Sequence, residues 1–225
     1  GRLVKMHTIR YTIGRAGKYK LHVGLRNQAV ALPGSPFSLT VLPSSAHAPS
    51  TRLPPEALPL TGVVGEAWTC TLSLHVSDRM GNRCIAGGAP IVVDVDNPEI
   101  ETQIHDNADG SYRLEWRGKI AGAYKTGVRI DGAHVLGSPC IVKLFSGPPD
   151  VPKCEIDGAG LRNAVAGQFA SVHITCRDEF SNQLSASSIQ GNALTFGLAL
   201  MTPTADNKSL KDTVESMDFE GSWVK

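Results

Sequence analysis

The residues Asp106-Asn107-Ala108-Asp109-Gly110 set carboxylate and amide oxygens around a glycine. Oxygen donors at alternate positions of a tight loop are what calcium takes. A calcium loop of the helix–loop–helix kind needs ligands at its first, third, fifth and twelfth positions and glycine at the sixth. With Gly110 at the sixth, Asp109 and Asn107 fall in place, but His105 is first and Trp116 twelfth. Neither supplies a carboxylate. The same residues fit a corner between two strands, because Asn, Asp and Gly accept turn conformations. The flanking residues alternate as strands do, and the corner is the reading they favour.

Other chemistry is sparse. Histidines stand apart at His7, His22, His47, His75, His105, His134 and His173, with no H-E-x-x-H pair. There is no G-x-S-x-G elbow and no phosphate loop. These residues give no constellation for catalysis, a cofactor or a metal, so a non-enzymatic chain without cofactors is expected. Cys70, Cys84, Cys140, Cys154 and Cys176 form no C-x-x-C pair, and their odd number argues against a disulfide framework. Buried cysteine packs as a small apolar residue, and a reducing compartment is the expectation. A net charge of +1 leaves no electrostatic footprint for nucleic acid. No apolar run reaches the length of a membrane span. Other proteins remain as partners.

The elements that carry these residues are strands. In Lys18–Arg26, Tyr19, Leu21, Val23 and Leu25 share one face and Lys18, Lys20, His22 and Arg26 the other. Period two of this kind marks a half-buried strand. The complete set is expected near Ala57–Thr61, Trp68–Val76, Ile91–Asp96, Ile100–His105, Tyr112–Arg117, Ala123–Ile130 and Cys140–Leu144. Glycine (23) and proline (14) punctuate them, as in an antiparallel sandwich.

Internal repeats organise the chain. Ala16-Gly17-Lys18-Tyr19 returns as Ala121-Gly122-Ala123-Tyr124, and Gly34-Ser35-Pro36-Phe37 as Gly137-Ser138-Pro139-Cys140. Asp78-Arg79-Met80-Gly81-Asn82 returns as Asp178-Glu179-Phe180-Ser181-Asn182, and Asp109-Gly110-Ser111-Tyr112 as Glu220-Gly221-Ser222-Trp223. Each return comes about 100 residues later, the length of one small sandwich. Only residues 43–146 carry all four marks. Residues 1–42 hold the last strands of an earlier copy, and residues 147–225 the first strands of a later one. Partial copies leave open cores and unpaired edges. A segment of a longer tandem array is the expectation; completion by a neighbouring chain is the alternative. Pro43–Pro55 and Gly147–Pro152 are proline-rich links that should be extended and stiff.

These four motifs in fixed order resemble the immunoglobulin-like repeat of the filamin family. Lys153–Leu161 is similar to the opening of such a repeat, although Leu58–Gly65 lacks its G-x-G-L pattern and Met201–Asp212 is longer than usual. The resemblance implies an all-β fold of tandem immunoglobulin-like antiparallel β-sandwiches, one complete and two partial. It also implies binding of partner peptides as an added strand beside the third strand, over the groove to the fourth. The lining would be Ile91, Val93, Val95, Ile100, Thr102 and Ile104, or the opposite face Val92, Asp94, Glu101 and Gln103. As core residues, the apolar set would need no binding role at all. The implied role is a scaffold or interaction module of the cytoskeleton, including that of a cilium. The alternative is an extracellular adhesion module, such as those of gametes, for which Asn207-Lys208-Ser209 would be a glycan acceptor. No actin-binding helical domain lies in these residues, so actin binding is not implied.

Overall fold

The computed structural model describes residues 7–25, 30–185, 200–201 and 211–212. The chain divides into two units, Gly1–Leu144 and Phe145–Lys225. Among the described residues all regular structure is strand and short 3-10 turn.

In the first unit, β1 (Gly17–Leu21) and β2 (Gly24–Leu25) precede β3 (Val30–Ala31) and β4 (Phe37–Val41). β1 pairs with β4 and β2 with β3, all antiparallel. The single strand expected over Lys18–Arg26 is therefore broken after Leu21. Competing bonds are the cause: the Val23 N–H donates to Ser35 Oγ (2.9 Å) and its carbonyl accepts from Leu32 N (2.8 Å).

The sandwich itself is built from β5 (Leu60–Val63), β6 (Cys70–His75), β7 (Ile91–Val95), β8 (Glu101–Asp106), β9 (Ser111–Arg117), β10 (Gly122–Ile130), β11 (Ala133–His134) and β12 (Cys140–Phe145). One sheet runs β7–β10–β12–β5, with β11 beside β10; the other runs β6–β9–β8. All seven expected strands are present. The first begins later than expected, because Pro55–Ala57 forms a 3-10 turn in which Ala57 N donates to Pro54 O (3.1 Å). β11 was not expected: two residues are too few for periodicity, although the Asp131-Gly132 turn before it is a hairpin signal.

Alternation decides what is buried. On β6, Cys70, Leu72 and Leu74 are buried and Thr71, Ser73 and His75 exposed. They meet Tyr112, Leu114 and Trp116 of β9 and Tyr124, Val128, Val142 and Leu144 of the opposing sheet in one core. Trp116 is fully buried, and its Nε1–H donates to Thr126 Oγ1 (3.1 Å), whose hydroxyl donates to the Asp94 carbonyl on β7 (2.9 Å). This relay satisfies a buried indole and crosses from one sheet to the other.

The repeat marks are structural devices. The Tyr19 hydroxyl donates to Arg15 O (2.7 Å) and that of Tyr124 to Ile120 O (2.8 Å), each closing the turn before its strand as a tyrosine corner does. Ser138 Oγ accepts from Val128 N (2.7 Å), as Ser35 does from Val23, and Gly34 and Gly137 take φ of 88° and 89°. The expected bend of Gly137-Ser138-Pro139 into the last strand is present, since β12 starts at Cys140.

The second unit has β13 (Glu155–Asp157) paired with β14 (His173–Thr175), and β15 (Leu200–Met201) paired with β16 (Lys211–Asp212). Its Asp178 is buried and accepts from Gly147 N, Phe180 N and Asn182 N. Asp78 does the same in the first unit with Ser44 N, Met80 N and Asn82 N. The expected third corner at Glu220–Trp223 and the Asn207 acceptor lie outside the described residues.

Candidate functional site

The Asp106–Gly110 stretch is a hairpin corner between β8 and β9. Asn107 N donates to Ser111 O (3.1 Å), and Ala108 and Gly110 take φ of 61° and 81°. Its carboxylates serve backbone donors. Asp109 Oδ1 accepts from Ser111 N (2.9 Å) and Asp106 Oδ1 from Ala108 N (2.8 Å). The hydrogen bonds from the Ser111 hydroxyl and N–H hold the Asp109 carboxyl below its ordinary range.

The corner also reaches across to the chain that enters β7. Asp106 Oδ2 accepts from Gly88 N (2.7 Å), and the buried Tyr112 hydroxyl accepts from Ala89 N (2.8 Å). Burial raises the Tyr112 hydroxyl above its usual range, so it stays protonated. With the Trp116–Thr126–Asp94 relay, these bonds fix β7 at its entry and its middle. The sequence signal was present, in Asp106 and Tyr112 of the quoted motif, but it read only as a turn and a repeat mark.

β7 is an edge strand. It pairs with β10 in the register Ile91↔Ile130 to Val95↔Thr126, and on no other side among the described residues. Asp96 N donates to Lys125 O (3.0 Å). Alternation along an antiparallel ladder then turns the N–H and C=O of Val92 and Asp94 toward β10. Those of Val93 and Val95 point outward, away from the sheet. β8 is likewise paired with β9 alone. There the Asn107–Ser111 bond fixes the alternation, so Thr102 and Ile104 present their backbone groups to the free side.

The six residues named from the resemblance are thus divided. Val93 and Val95 lie on the open edge of β7, with half-buried side chains on the inner face. Thr102 and Ile104 lie on the open edge of β8, and Ile104 is 37% exposed although its register partner Leu114 is fully buried. Ile91 shares the inner face of β7, but its N–H is engaged in a local turn to Ala89 O (2.8 Å). Ile100 precedes β8 and is buried against the core. On the outer face, Val92 is 54% exposed, Asp94 meets Arg129 at 3.6 Å, and Glu101 and Gln103 face solvent.

Inward-facing residues that stay partly uncovered at two adjacent free edges form a groove with no strand over it among the described residues. β7 has neither proline nor lysine, the residues that ordinarily blunt an edge. Outside this groove Glu115, 6% exposed on β9, meets His105 Nε2 at 2.8 Å. All five cysteines are free; Cys70, Cys84 and Cys140 are buried, and burial, with a smaller contribution from Cys140, pushes the Cys70 thiol up to about 12.

Comparison with known proteins agrees with this architecture. The profile of the Filamin/ABP280 repeat matches residues 52–141. Filamin-C of Mus musculus is 31% identical over 162 residues, which is 69% of this chain and 6% of that protein. Filamin-A of Drosophila melanogaster is 29% identical over 138 residues, 60% of this chain and 6% of that one. The chain therefore spans a small fraction of the filamins it matches. Among solved structures, the Escherichia coli adhesin FdeC superposes with a TM-score of 0.52 at 13% identity, covering 71% of this chain and 50% of that one, a likeness of fold alone. Residues 52–141 of this chain are a filamin repeat.

Proposed function

We propose that this chain is a non-enzymatic scaffold segment that binds partner proteins by adding their strands to the open edge of β7. The observation that carries the reading is the outward-facing backbone of Val93 and Val95, unpaired among the described residues, above a groove shared with β8. The fitting ligand is an extended segment with apolar residues at alternate positions. Its backbone pairs with Val93 and Val95, and its inward side chains enter between β7 and β8. The proline-rich chain entering the repeat is part of it rather than the extended link expected: Ala48–Ser50 and Pro55–Ala57 are 3-10 turns, and the buried Leu53 donates its N–H to Leu136 O (2.9 Å). In this reading residues 1–42, 43–146 and 147–225 are three successive registers of one repeat, within an array of the cytoskeleton, that of a cilium included.

The test is selection of displayed extended peptides on the chain, followed by titration of a selected peptide into isotope-labelled protein. Strand addition shifts the Val93 and Val95 amides and slows their hydrogen exchange. Val93→Glu removes binding while the core resonance of Trp116 is kept. Peptides whose shifts map to β5 or to the outer face of β6 and β9 would overturn the reading. A glycan on Asn207 in the native protein would replace the cytoskeletal location with the extracellular one.

A further inference from the structure

We infer that the D-x-x-x-N loop is a clasp that fixes the direction of the preceding copy by reading its backbone. The loop follows β6 and is organised by one buried carboxylate. Asp78 Oδ1 accepts from Met80 N (2.9 Å) and Asn82 N (2.8 Å), and Oδ2 accepts from Ser44 N (2.9 Å) of the entering link. The Asn82 amide nitrogen donates to the same carboxylate (2.9 Å to Oδ2). That fixes which end of the amide is nitrogen, because a carboxylate accepts and cannot donate.

The fixed amide has a second use. Its nitrogen donates to Gly14 O (2.8 Å), and its oxygen accepts from Ala16 N (2.9 Å). The Gly14 carbonyl and the Ala16 N–H flank Arg15, as do the two groups that a strand offers to one residue of a parallel neighbour. Asn82 therefore pairs with the chain around Arg15 as a peptide group would. It does so at the A-G-x-Y turn, closed by the Tyr19 hydroxyl on Arg15 O (2.7 Å). Met80 of the same loop lies under Gly14, where an added Cβ would come within 3.3 Å of its sulfur. Two hydrogen bonds to backbone make the partner a conformation rather than a side chain: the turn before the A-G-x-Y strand of the copy that comes first. The two sequence marks recur in the same order, as Ala121-Gly122-Ala123-Tyr124 and Asp178-Glu179-Phe180-Ser181-Asn182. Within the second unit Asp178 organises its loop by the same bonds, including Asn182 Nδ2 to Oδ2 (2.9 Å).

The clasp is independent of peptide binding at β7, and its test is orientation. The full chain is weakly aligned, and residual dipolar couplings are measured for amides of β1 and β4 and for those of β6 to β10. The wild type is expected to fit a single alignment tensor. Asn82→Ala is expected to give two tensors, with reduced order for β1 and β4. Because Asn82 also steadies its own loop, Ala16→Pro provides a second variant: it deletes the N–H that meets Asn82 Oδ1 and leaves the Asp78 contacts intact. Two tensors in Ala16→Pro, with unchanged shifts over residues 78–82, support the clasp. A single tensor in both variants, or two tensors already in the wild type, overturns it.

Discussion

Val93→Pro and Val92→Pro should separate the free side of β7 from its paired side. Proline removes a backbone N–H and is tolerated in a sheet only where that N–H faces outward from an edge. The Val93 N–H faces outward and has no partner strand among the described residues. The Val92 N–H faces β10, toward the carbonyl of its register partner Arg129. In the unliganded protein, Val93→Pro therefore loses only part of a half-buried side chain, about one methylene equivalent, or about 1 kcal/mol. Val92→Pro loses a ladder bond and strands a carbonyl, for about 2–4 kcal/mol. Binding should show the opposite order. With proline at 93 an added strand forfeits one hydrogen bond and leaves its own carbonyl unanswered, about 1–2 kcal/mol. That is a weakening of roughly 5- to 30-fold.

Denaturant midpoints at constant slope give the stability terms, and fluorescence anisotropy with a selected peptide gives the affinity. Equal loss of stability in the two variants would refute the alternation assigned to β7. Unchanged affinity in a folded Val93→Pro protein would refute strand addition at this edge, whatever partner is used.

Three further outcomes rest on the corners of the sandwich. Burial raises the Asp78 carboxyl, but the Asn82 side chain and the N–H groups of Ser44, Asn82 and Met80 outweigh it and hold the folded value below 3.8. A depressed carboxyl stabilises above its unfolded value and loses that stability as pH falls through the folded value. Stability should therefore drop below about pH 4, and Asp78→Asn should flatten that drop while costing about 2–3 kcal/mol at neutral pH; an unchanged pH slope of the denaturation midpoint would count against it. Gly110→Ala should be among the most damaging single changes. Gly110 has φ of 81°, and an added Cβ would overlap the Cys84 carbonyl, so a loss above about 3 kcal/mol is expected by urea titration. Gly132→Ala, at φ of 77° with open space around it, should cost only about 1 kcal/mol.

Much of the fold was legible because burial and periodicity are local. Cys70, Leu72 and Leu74 alternate in sequence and alternate in the sandwich, and Gly137-Ser138-Pro139 marks the entry to β12. Where a strand was misjudged, a nonlocal or competing bond decided. Ser35, twelve residues on, takes the Val23 N–H out of the strand ladder, and Pro54 begins a turn where apolar Ala57 and Leu58 suggested a strand. Asp78 shows the limit most clearly. Its spacing to Asn82 identified a repeat, yet a mark in a sequence carries no statement of which backbone groups lie around it.

The site was legible only by half, and for a physical reason. Period two reports the two faces of a strand, so Ile91, Val93 and Val95 could be grouped without knowing where β7 lies. Binding by strand addition depends on the third direction, along the sheet, in which backbone groups point. That direction is set by which strands are neighbours and by one anchoring bond in each ladder, Asp96 to Lys125 for β7 and Asn107 to Ser111 for β8. Neither bond follows from side-chain pattern. Once they are fixed, Val93 and Val95 are the positions of β7 whose backbone faces the open edge, and Ile91, identical to them by periodicity, differs because its N–H already turns back to Ala89. Ile100 is demoted by burial. What remains is an edge held in place by Tyr112 and Asp106, which accept from the Ala89 and Gly88 N–H groups just before β7, and by Trp116, which reaches the Asp94 carbonyl through the Thr126 hydroxyl. Loss of one of those anchors should therefore weaken peptide binding through the position of the edge, with the side chains of the groove left unchanged.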